Sequence, residues 1–323
     1  MTIPTELRAA IDEQIAKVNP AELIRAAREL SNRYRAGQQC ASVLSMEAAR
    51  AAYVVTRMPA TFAATRRALA EIAGRLPITV RSVLDLGSGP GTVAWAAVES
   101  FTDIEQITVV ERDAGFIEIG RQMAGHSTHA ALHRANWIRG DMREYGVFGE
   151  YDLVVSSYAV GELGSEAYTA ELARRMWKLA RMAVVVIEPG TPNGFQHVLA
   201  ARTALIEAGA KLVAPCPHEK QCPMAAAGDW CHFAQRLERS AEHRRAKGGE
   251  LGYEDEKFSY VSGVKVDADQ AAARIVRHPM RHSGHVQLTL CAPGGLVKRT
   301  VTKSQKDKWS EARQAKWGDA WEE

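Results

Sequence analysis

Residues 82–92 read Ser-Val-Leu-Asp-Leu-Gly-Ser-Gly-Pro-Gly-Thr, a short apolar run that leads directly into three closely spaced glycines. The apolar run predicts a buried β-strand, and Thr92 begins a segment that can form a helix. Glycines let the backbone turn tightly and approach a ligand closely, and the N-terminus of the following helix offers unpaired N–H groups. This segment therefore predicts a strand–loop–helix unit that binds a ligand at the edge of a parallel sheet.

The rest of the chain alternates between strands and helices. Further strands are predicted at 106–110, 137–141, 151–156 and 183–187. Such alternation predicts a parallel sheet with helices on both faces. Two later runs, 258–266 and 285–291, are interpreted as the sixth and seventh strands of the same sheet. We therefore expect an α/β, Rossmann-like fold.

The glycine spacing indicates which cofactor the loop binds. Here the glycines read G-x-G-x-G, whereas a dinucleotide fingerprint reads G-x-G-x-x-G. Asp85 is placed to meet the amino group of a methionine moiety, Glu111 ends the second strand where ribose hydroxyls are bound, and Asp141-Met142 can contact adenine. These elements predict a class I S-adenosylmethionine-dependent methyltransferase fold. The alternatives are a Rossmann domain that has lost its ligand and an NAD-binding domain with an atypical loop. The predicted cofactor-binding residues are Asp85, Gly87, Ser88, Gly89, Pro90, Gly91, Glu111, Asp141 and Met142.

Candidate catalytic residues follow the fourth strand. Tyr158 and Glu162 are expected to line the crevice at the carboxyl ends of the strands, either as catalytic groups or as parts of the pocket wall. The N-P-P-Y tetrad of many amino methyltransferases is absent from this position. Strands four and five end without a cysteine, which argues against cytosine C5 methylation by a thiolate nucleophile.

Four of the five cysteines, Cys216, Cys222, Cys231 and Cys291, fall in the C-terminal half. The odd number and the lack of a signal peptide argue against a disulfide framework, so a metal site is the stronger interpretation. Four thiolates can hold a [4Fe–4S] cluster. Zinc would take the same four, or three of them with His218 or His232, although the usual C-x₂-C pairs are missing. Unliganded core cysteines are the third alternative. A cluster here is expected to be structural, because the C-x₃-C-x₂-C run of radical enzymes is absent.

These patterns divide the chain into five predicted parts, the last of which is a basic C-terminal tail. The segment from Lys298 to Lys316 contains seven Lys or Arg residues and only two acidic residues. A second basic run spans 236–247. Both are candidates for contact with RNA phosphates. The predicted parts are an N-terminal helical region (1–76), a methyltransferase core (77–210), a Cys-rich insertion completed by Cys291 (211–257), the last strands of the core sheet (258–297) and a basic tail (298–323).

The expected environment is a bacterial-type cytoplasm. The net charge is +3, and no apolar run approaches the roughly 18 residues that span a bilayer. The first residues carry neither a secretory signal core nor the composition of a transit peptide. We expect a monomer without a membrane partner.

Several further segments are specific enough to indicate a family. They are residues 53–61 (Y-V-V-T-R-M-P-A-T), 188–192 (E-P-G-T-P), 216–218 (C-P-H), 222–223 (C-P), 229–233 (D-W-C-H-F) and 253–260 (Y-E-D-E-K-F-S-Y). With these segments the chain resembles bacterial members of the methyltransferase-like proteins of the mitochondrial small ribosomal subunit. The resemblance implies a role in small-subunit assembly or translation, with rRNA as partner.

The resemblance also implies a [4Fe–4S] cluster on Cys216, Cys222, Cys231 and Cys291. Two functions are compatible with it. The first is methyl transfer from S-adenosylmethionine to small-subunit rRNA. The second is a non-catalytic assembly factor that binds rRNA and uses S-adenosylmethionine and the cluster as structural or sensing elements.

Overall fold

The computed structural model describes residues 1–35, 47–143, 149–247 and 251–322. The helices are α1 (Thr5–Ala16), α2 (Pro20–Arg35), α3 (Glu47–Thr56), α4 (Met58–Ala73), α5 (Thr92–Val98), α6 (Ala114–Ala124), α7 (Ala130–His133), α8 (Glu166–Leu179), α9 (Pro192–Glu207), α10 (Pro223–Ala226), α11 (Ala241–Lys247) and α12 (Lys306–Gln314). The strands are β1 (Ser82–Leu86), β2 (Gln106–Glu111), β3 (Asn136–Arg139), β4 (Tyr151–Ser157), β5 (Ala180–Pro189), β6 (Lys211–Ala214), β7 (Phe233–Glu238), β8 (Tyr253–Val264), β9 (Ala273–Ile275), β10 (Met280–Arg281), β11 (His285–Ala292), β12 (Gly295–Thr302) and β13 (Ala320–Trp321).

The larger sheet has the strand order of a class I methyltransferase. Its path is β3-β2-β1-β4-β5-β8-β6, and β7 pairs with β8 outside this path. Strands β1 to β5 are parallel to one another, whereas β8 runs antiparallel between β5 and β6. An antiparallel strand inserted before the last one distinguishes this fold from the all-parallel dinucleotide-binding sheet. The predicted Rossmann-like methyltransferase fold is confirmed.

Helices cover both faces of this sheet. On one face, Phe62 and Leu69 of α4 pack with Val83 of β1 and Ile107 of β2. On the other face, Leu172 of α8 packs against strand residues whose side chains point to that face of the sheet. All five residues of β1 are buried, as expected for a central parallel strand. The N-terminal helical region is thus a layer on the sheet; Cys40, expected to be a buried small apolar residue, lies outside the described residues.

The late strands differ from the prediction. In chain order the sheet continues with β6, β7 and β8, so Cys216, Cys222 and Cys231 lie between β6 and β7 and not between the fifth and sixth strands. The predicted seventh strand, β11, belongs to a separate five-stranded sheet with β9, β10, β12 and β13. A four-residue strand such as Lys-Leu-Val-Ala carries too little periodicity to be recognised, and an apolar pattern does not reveal which sheet a strand joins.

The basic end is also folded. Instead of a tail, residues 298–322 contribute β12, α12 and β13 to the second sheet and its core, where Trp321 is buried with Ile275 and Leu288. In the described part of the chain, no helix is long and apolar enough to cross a membrane.

A buried arginine joins the second sheet to the rest of the protein. Arg274 of β9 is 1% exposed, and its Nη1 donates to Glu71 Oε1 of α4 at 2.7 Å and to the Gly318 carbonyl at 3.0 Å. Its Nε donates to the Pro215 carbonyl at 2.9 Å. Burial would raise the pKa of Glu71, but the charges of Arg274 and Arg75 outweigh burial and hold this pKa below its usual value. A buried charge is tolerated only when it is paired in this way.

Candidate functional site

A pocket of about 490 Å³ opens at the carboxyl end of the parallel sheet. This is the edge at which open α/β sheets bind ligands. The predicted residues that line it are Gly87, Ser88, Gly89, Glu111, Asp141, Met142, Tyr158 and Glu162. Asp85, Pro90 and Gly91 lie behind this lining.

The three glycines of the loop have different reasons to be glycine. All three adopt positive φ angles. A Cβ on Gly87 would lie 2.5 Å from Ala159 Cβ, and one on Gly91 would lie 2.8 Å from the Trp137 ring, so packing excludes a side chain at both positions. A Cβ on Gly89 would meet nothing within 4 Å. Gly89 therefore keeps the space inside the pocket free for a ligand.

Asp85 carries a buried carboxyl group without a partner. The residue is fully buried, and neither carboxyl oxygen accepts a hydrogen bond from the described residues. Burial, and then the charge of Glu111, raise its pKa well above the usual value. A buried unpaired carboxyl is costly to retain for stability alone, so the position favours a role in holding a cationic group.

We expect Asp85→Asn to change the pH dependence of stability. A folded-state pKa above the unfolded value of 3.8 means that the carboxyl costs stability as the pH rises above that value. Asn removes this cost, so the variant should be more stable than the parent at pH 8 and should lose this advantage near pH 4. Urea unfolding at both pH values measures the difference. A variant that is less stable than the parent at pH 8 but not near pH 4 would show that the carboxylate has a partner in the folded protein.

Glu111 shapes the loop from the end of β2. Its Oε2 accepts a hydrogen bond from the Gly89 amide at 2.8 Å, and its Oε1 accepts one from the Asp113 amide at 2.8 Å. Burial raises the pKa of Glu111, while these amides oppose the shift. Both carboxyl oxygens are therefore engaged with the backbone that surrounds the pocket, and a ribose diol would share them with these amides.

Asp141 and Met142 line the pocket near the glycine loop. Asp141 forms a bidentate ion pair with Arg143, and the hydrogen bonds from Arg143 lower its pKa despite partial burial. Met142 Sδ would be 3.2 Å from a Cβ on Gly87, so its thioether lies against the loop. Both positions suit contacts with a flat aromatic ring seated over Gly87.

Tyr158 follows β4 in a strained conformation. Its φ of 57° lies in the left-handed region, which costs a residue with a side chain roughly 1–2 kcal/mol. Its hydroxyl oxygen is buried. Burial and then the charge of Glu256 raise its pKa well above the usual value, whereas Arg57 opposes the shift. The Tyr158 hydroxyl therefore stays protonated and does not serve as a general base near neutral pH.

Glu162 is part of an ion pair across the pocket. Its Oε2 accepts a hydrogen bond from Arg112 Nη2 at 3.0 Å, which links the turn after β4 to the end of β2. Burial raises the pKa of Glu162, and Arg112 opposes this shift. Behind it, Glu188 Oε1 accepts a hydrogen bond from the Val160 amide at 3.0 Å. Burial raises the pKa of Glu188 to about 8 against such amide contacts.

The N-terminal helices supply a wall of the pocket that sequence reasoning missed. Arg50 and Tyr53 of α3 and Thr61 of α4 line it. Arg50 Nε donates to Asp113 Oδ1 at 3.0 Å, and Asp113 also caps α6 through the Gly115 amide at 2.7 Å. The Tyr53–Thr61 segment carried the family resemblance, which was the available signal, but nothing in it indicated a pocket.

The four predicted metal ligands meet at a second site. Cys216, Cys222, Cys231 and Cys291 all line one small cavity of about 30 Å³ between α9 and the second sheet. All four are free thiols. Burial, and then the nearby Cys216 and Cys222, raise the pKa of Cys291 to about 12 against the charges of Arg202 and Arg274.

The two histidines considered for zinc are placed differently. His218 lines the cysteine cavity, and its Nε2 lies 3.7 Å from Cys291 Sγ. His232 points away and stacks on Trp230 with ring centroids 5.3 Å apart. Within the described ranges, no three His, Cys, Asp or Glu side chains are arranged to hold a single metal ion.

The strand order and the glycine-loop pocket define a protein of the class I methyltransferase fold that carries a second, cysteine-lined site. The chain belongs to the family described as mitochondrial small ribosomal subunit Rsm22, whose model matches residues 47–322. This match includes both sites.

Curated relatives extend beyond the matched region. The human protein "Ribosome assembly protein METTL17, mitochondrial" is 27% identical over 284 residues, which is 83% of this chain and 61% of the human one. The Schizosaccharomyces pombe "Rsm22-cox11 tandem protein 2, mitochondrial" is 24% identical over 325 residues, or 83% of this chain and 42% of that protein. The chain thus spans about three fifths or less of these relatives.

Among solved structures, the N-methyltransferase NodS from Bradyrhizobium japonicum is similar with a TM-score of 0.41. It is 14% identical, and the match covers 64% of this chain and 97% of NodS.

Proposed function

We propose that this protein binds S-adenosylmethionine in the pocket at the carboxyl end of the sheet and acts in assembly of the small ribosomal subunit. The observation that carries the first half is the buried, unpartnered carboxyl of Asp85 beside the glycine loop. The family and the name of the human relative, a ribosome assembly protein, support the second half. The expected cytoplasmic location and monomeric state are part of the same proposal.

The residues present fit S-adenosylmethionine. Asp85 would compensate the ammonium of the methionine part, and the free space at Gly89 would accept the ligand backbone. Glu111 would bind the ribose, and Asp141 with Met142 would bind the adenine. The ligand supplies an electrophilic methyl group; the protein's part is to hold it and to exclude water.

The cysteine cavity supports a [4Fe–4S] cluster on Cys216, Cys222, Cys231 and Cys291. Zinc needs its donors about 2.1–2.3 Å from one point. The described residues contain no group with such an arrangement, although the four cysteines share a cavity. A cluster spreads its ligands over four metal corners. Two buried polar nitrogens near the thiols, His218 Nδ1 and Arg274 Nη2, have no partner in the described chain, which fits a polar group in this cavity.

The RNA contact is proposed for a basic strip defined by Lys298 and Arg299 of β12, Lys303 in the turn after this strand and Lys306 at the start of α12. All four are exposed and form no ion pair with the described residues. In the other basic run three arginines are already paired: Arg236 with Asp255, Arg239 with Glu254 and Arg245 with Glu242. Unpaired exposed cations are the ones available to phosphates.

We expect the double variant Lys298→Gln/Arg299→Gln to weaken binding to small-subunit rRNA fragments and to lower the slope of log affinity against log salt by about 1 to 2. Filter binding over a salt series measures both quantities. The matched control, Arg236→Gln/Arg245→Gln, removes the same charge from paired positions and should change the slope little. If both double variants behave alike, the basic strip only protects an edge strand from pairing.

Methyl transfer to rRNA is the second candidate function. It is favoured by the position of Tyr158 and Glu162 at the end of β4, inside the pocket. The protonated Tyr158 and the ion-paired Glu162 nevertheless favour a binding role over transfer that needs a general base.

One experiment separates these functions. Small-subunit precursors from a deletion strain are incubated with the protein and methyl-labelled S-adenosylmethionine, with Gly89→Arg as the control. Label in rRNA above this control would establish transfer. Absence of label, together with immature subunits in the deletion strain, supports the assembly role. Normal subunits in that strain would contradict the assembly role, and normal subunits together with absence of label would contradict both functions.

A further inference from the structure

The cysteine cavity is bordered by a buried arginine that the proposed function does not use. Arg202 of α9 is 5% exposed and forms no ion pair with a carboxylate in the described part of the chain. Its sequence context, Val-Leu-Ala-Ala-Arg-Thr-Ala-Leu, is otherwise an apolar helix face. A buried guanidinium without a counter-charge is strongly unfavourable, so the surroundings should offer it an anion.

Within the described residues, the side-chain hydrogen bonds of Arg202 go to the cysteine loop. Its Nε donates to Cys216 Sγ at 3.4 Å, and its Nη2 donates to the carbonyls of His218 at 2.9 Å and Lys220 at 2.6 Å. The carbonyls supply acceptors but no net charge. The group that can neutralise Arg202 is therefore the thiolate of Cys216 and whatever this thiolate binds.

Arg274 approaches the same cavity from the second sheet. Its Nη1 is paired with Glu71, whereas its buried Nη2 has no acceptor among the described residues. Arg202 and Arg274 both line the cavity with the four cysteines. Four thiolates around an iron–sulfur core carry net negative charge, which two guanidinium groups from opposite sides would offset.

We propose that Arg202, supported by Arg274, positions Cys216 and raises the reduction potential of the cluster. Hydrogen bonds to cluster sulfurs and nearby charge are the protein's main means of setting this potential. A positive charge held at the Cys216 sulfur stabilises the extra electron of the reduced state. This inference rests on the proposed cluster.

The test is a redox titration of protein purified without oxygen, followed by visible absorption and electron paramagnetic resonance. Arg202→Gln retains a donor but removes the charge, so we expect a more negative potential. At a fixed applied potential, the ratio of reduced to oxidised cluster should fall at least about tenfold. For a one-electron couple this corresponds to a potential that is about 59 mV more negative. Arg174→Gln is the matched control, because Arg174 of α8 pairs at the surface with Glu207 of α9, the helix that carries Arg202, and its loss should leave the potential unchanged.

The outcomes separate this inference from the proposed cluster. Iron and sulfide in the parent with an unmoved potential in Arg202→Gln would overturn the role of Arg202 and leave the cluster standing. A parent that binds zinc or no metal would overturn both. If Arg202→Gln fails to assemble a cluster, Arg202→Lys decides, because it keeps the positive charge in the cavity. It should assemble the cluster with a potential near that of the parent, whereas a potential more negative by about 59 mV or more despite the retained charge would contradict the inference.

Discussion

Gly89→Arg is expected to abolish S-adenosylmethionine binding while the protein stays folded. A Cβ at this position meets no atom within 4 Å, so the arginine side chain extends into the pocket instead of clashing with the backbone. There it would occupy the space of the ligand and bring a positive charge towards a ligand that is itself cationic. We expect affinity to fall at least about 100-fold, or about 2.8 kcal/mol, by calorimetry.

The control for this variant has to share its backbone strain. Gly89 has a φ of +55°, and any side chain there costs roughly 1–2 kcal/mol. Gly209→Arg is matched, because Gly209 has a φ of +89°, is exposed and also has open space around its Cβ. Both variants should lose similar stability, and Gly209→Arg should bind the ligand normally. Equal loss of binding in both would mean that the pocket around Gly89 is not the ligand site.

The sequence predicted the part of the site that depends on local chain geometry. The strand, the glycine turn and the helix after it are contiguous in residues 82–98, so local pattern was enough to place Gly87 and Gly89. Acids at strand ends were predictable for the same reason, since parallel strands end at one edge of the sheet. Glu111 and Asp141 do line the pocket, whereas Asp85 lies behind its wall.

The parts that sequence could not predict depend on long-range pairing. Arg50 reaches the pocket only because α3 packs over α6. Arg57 approaches Tyr158 by pairing with Glu256 of β8, and Arg57 and Glu256 are 199 residues apart in the sequence. The sequence pattern also placed β11 in the core sheet, whereas it belongs to the second sheet. Nothing in the sequence of β11 states that it pairs with β9 and β12, because strand partners are set by packing across the fold.

The buried arginines show a further limit. Arginine side chains usually lie at the protein surface, yet Arg202 and Arg274 are nearly fully buried. Both line the cavity of Cys216, Cys222, Cys231 and Cys291, and the last of these comes from a segment distant from the other three. The cysteine set was predictable from its clustering and from the family resemblance, but its charged surroundings were not.

Arg274→Met is expected to be the most destabilising of these substitutions. It takes one of two arginine partners from the partly buried Glu71, leaves Arg75, and removes the bonds to Pro215 and Gly318, so we expect a loss of about 3 kcal/mol in urea unfolding. Because the folded-state pKa of Glu71 is lowered, its contribution is present above the unfolded value of 4.5 and is lost as the pH falls through the folded value. The effect of Arg274→Met should therefore be largest near neutral pH and shrink below pH 4.

The control is a second ion pair between the same parts of the protein. Arg67 of α4 pairs with Asp319 at 2.6 Å, and both side chains are about a third exposed. Arg67→Gln should cost less than about 1 kcal/mol. A similar small loss for Arg274→Met would show that the buried pair does not hold the second sheet in place.

The docking of the second sheet also determines whether the cysteine site is complete. Cys291 lies on β11 opposite Arg274 of β9, whereas the other three cysteines lie between β6 and β8. If Arg274→Met loosens the second sheet, Cys291 moves away from the cavity and the site keeps three thiols. We therefore expect this variant to lose bound iron faster to a chelator than Arg67→Gln does. Equal rates would mean that Cys291 reaches the cavity without the Arg274 contact.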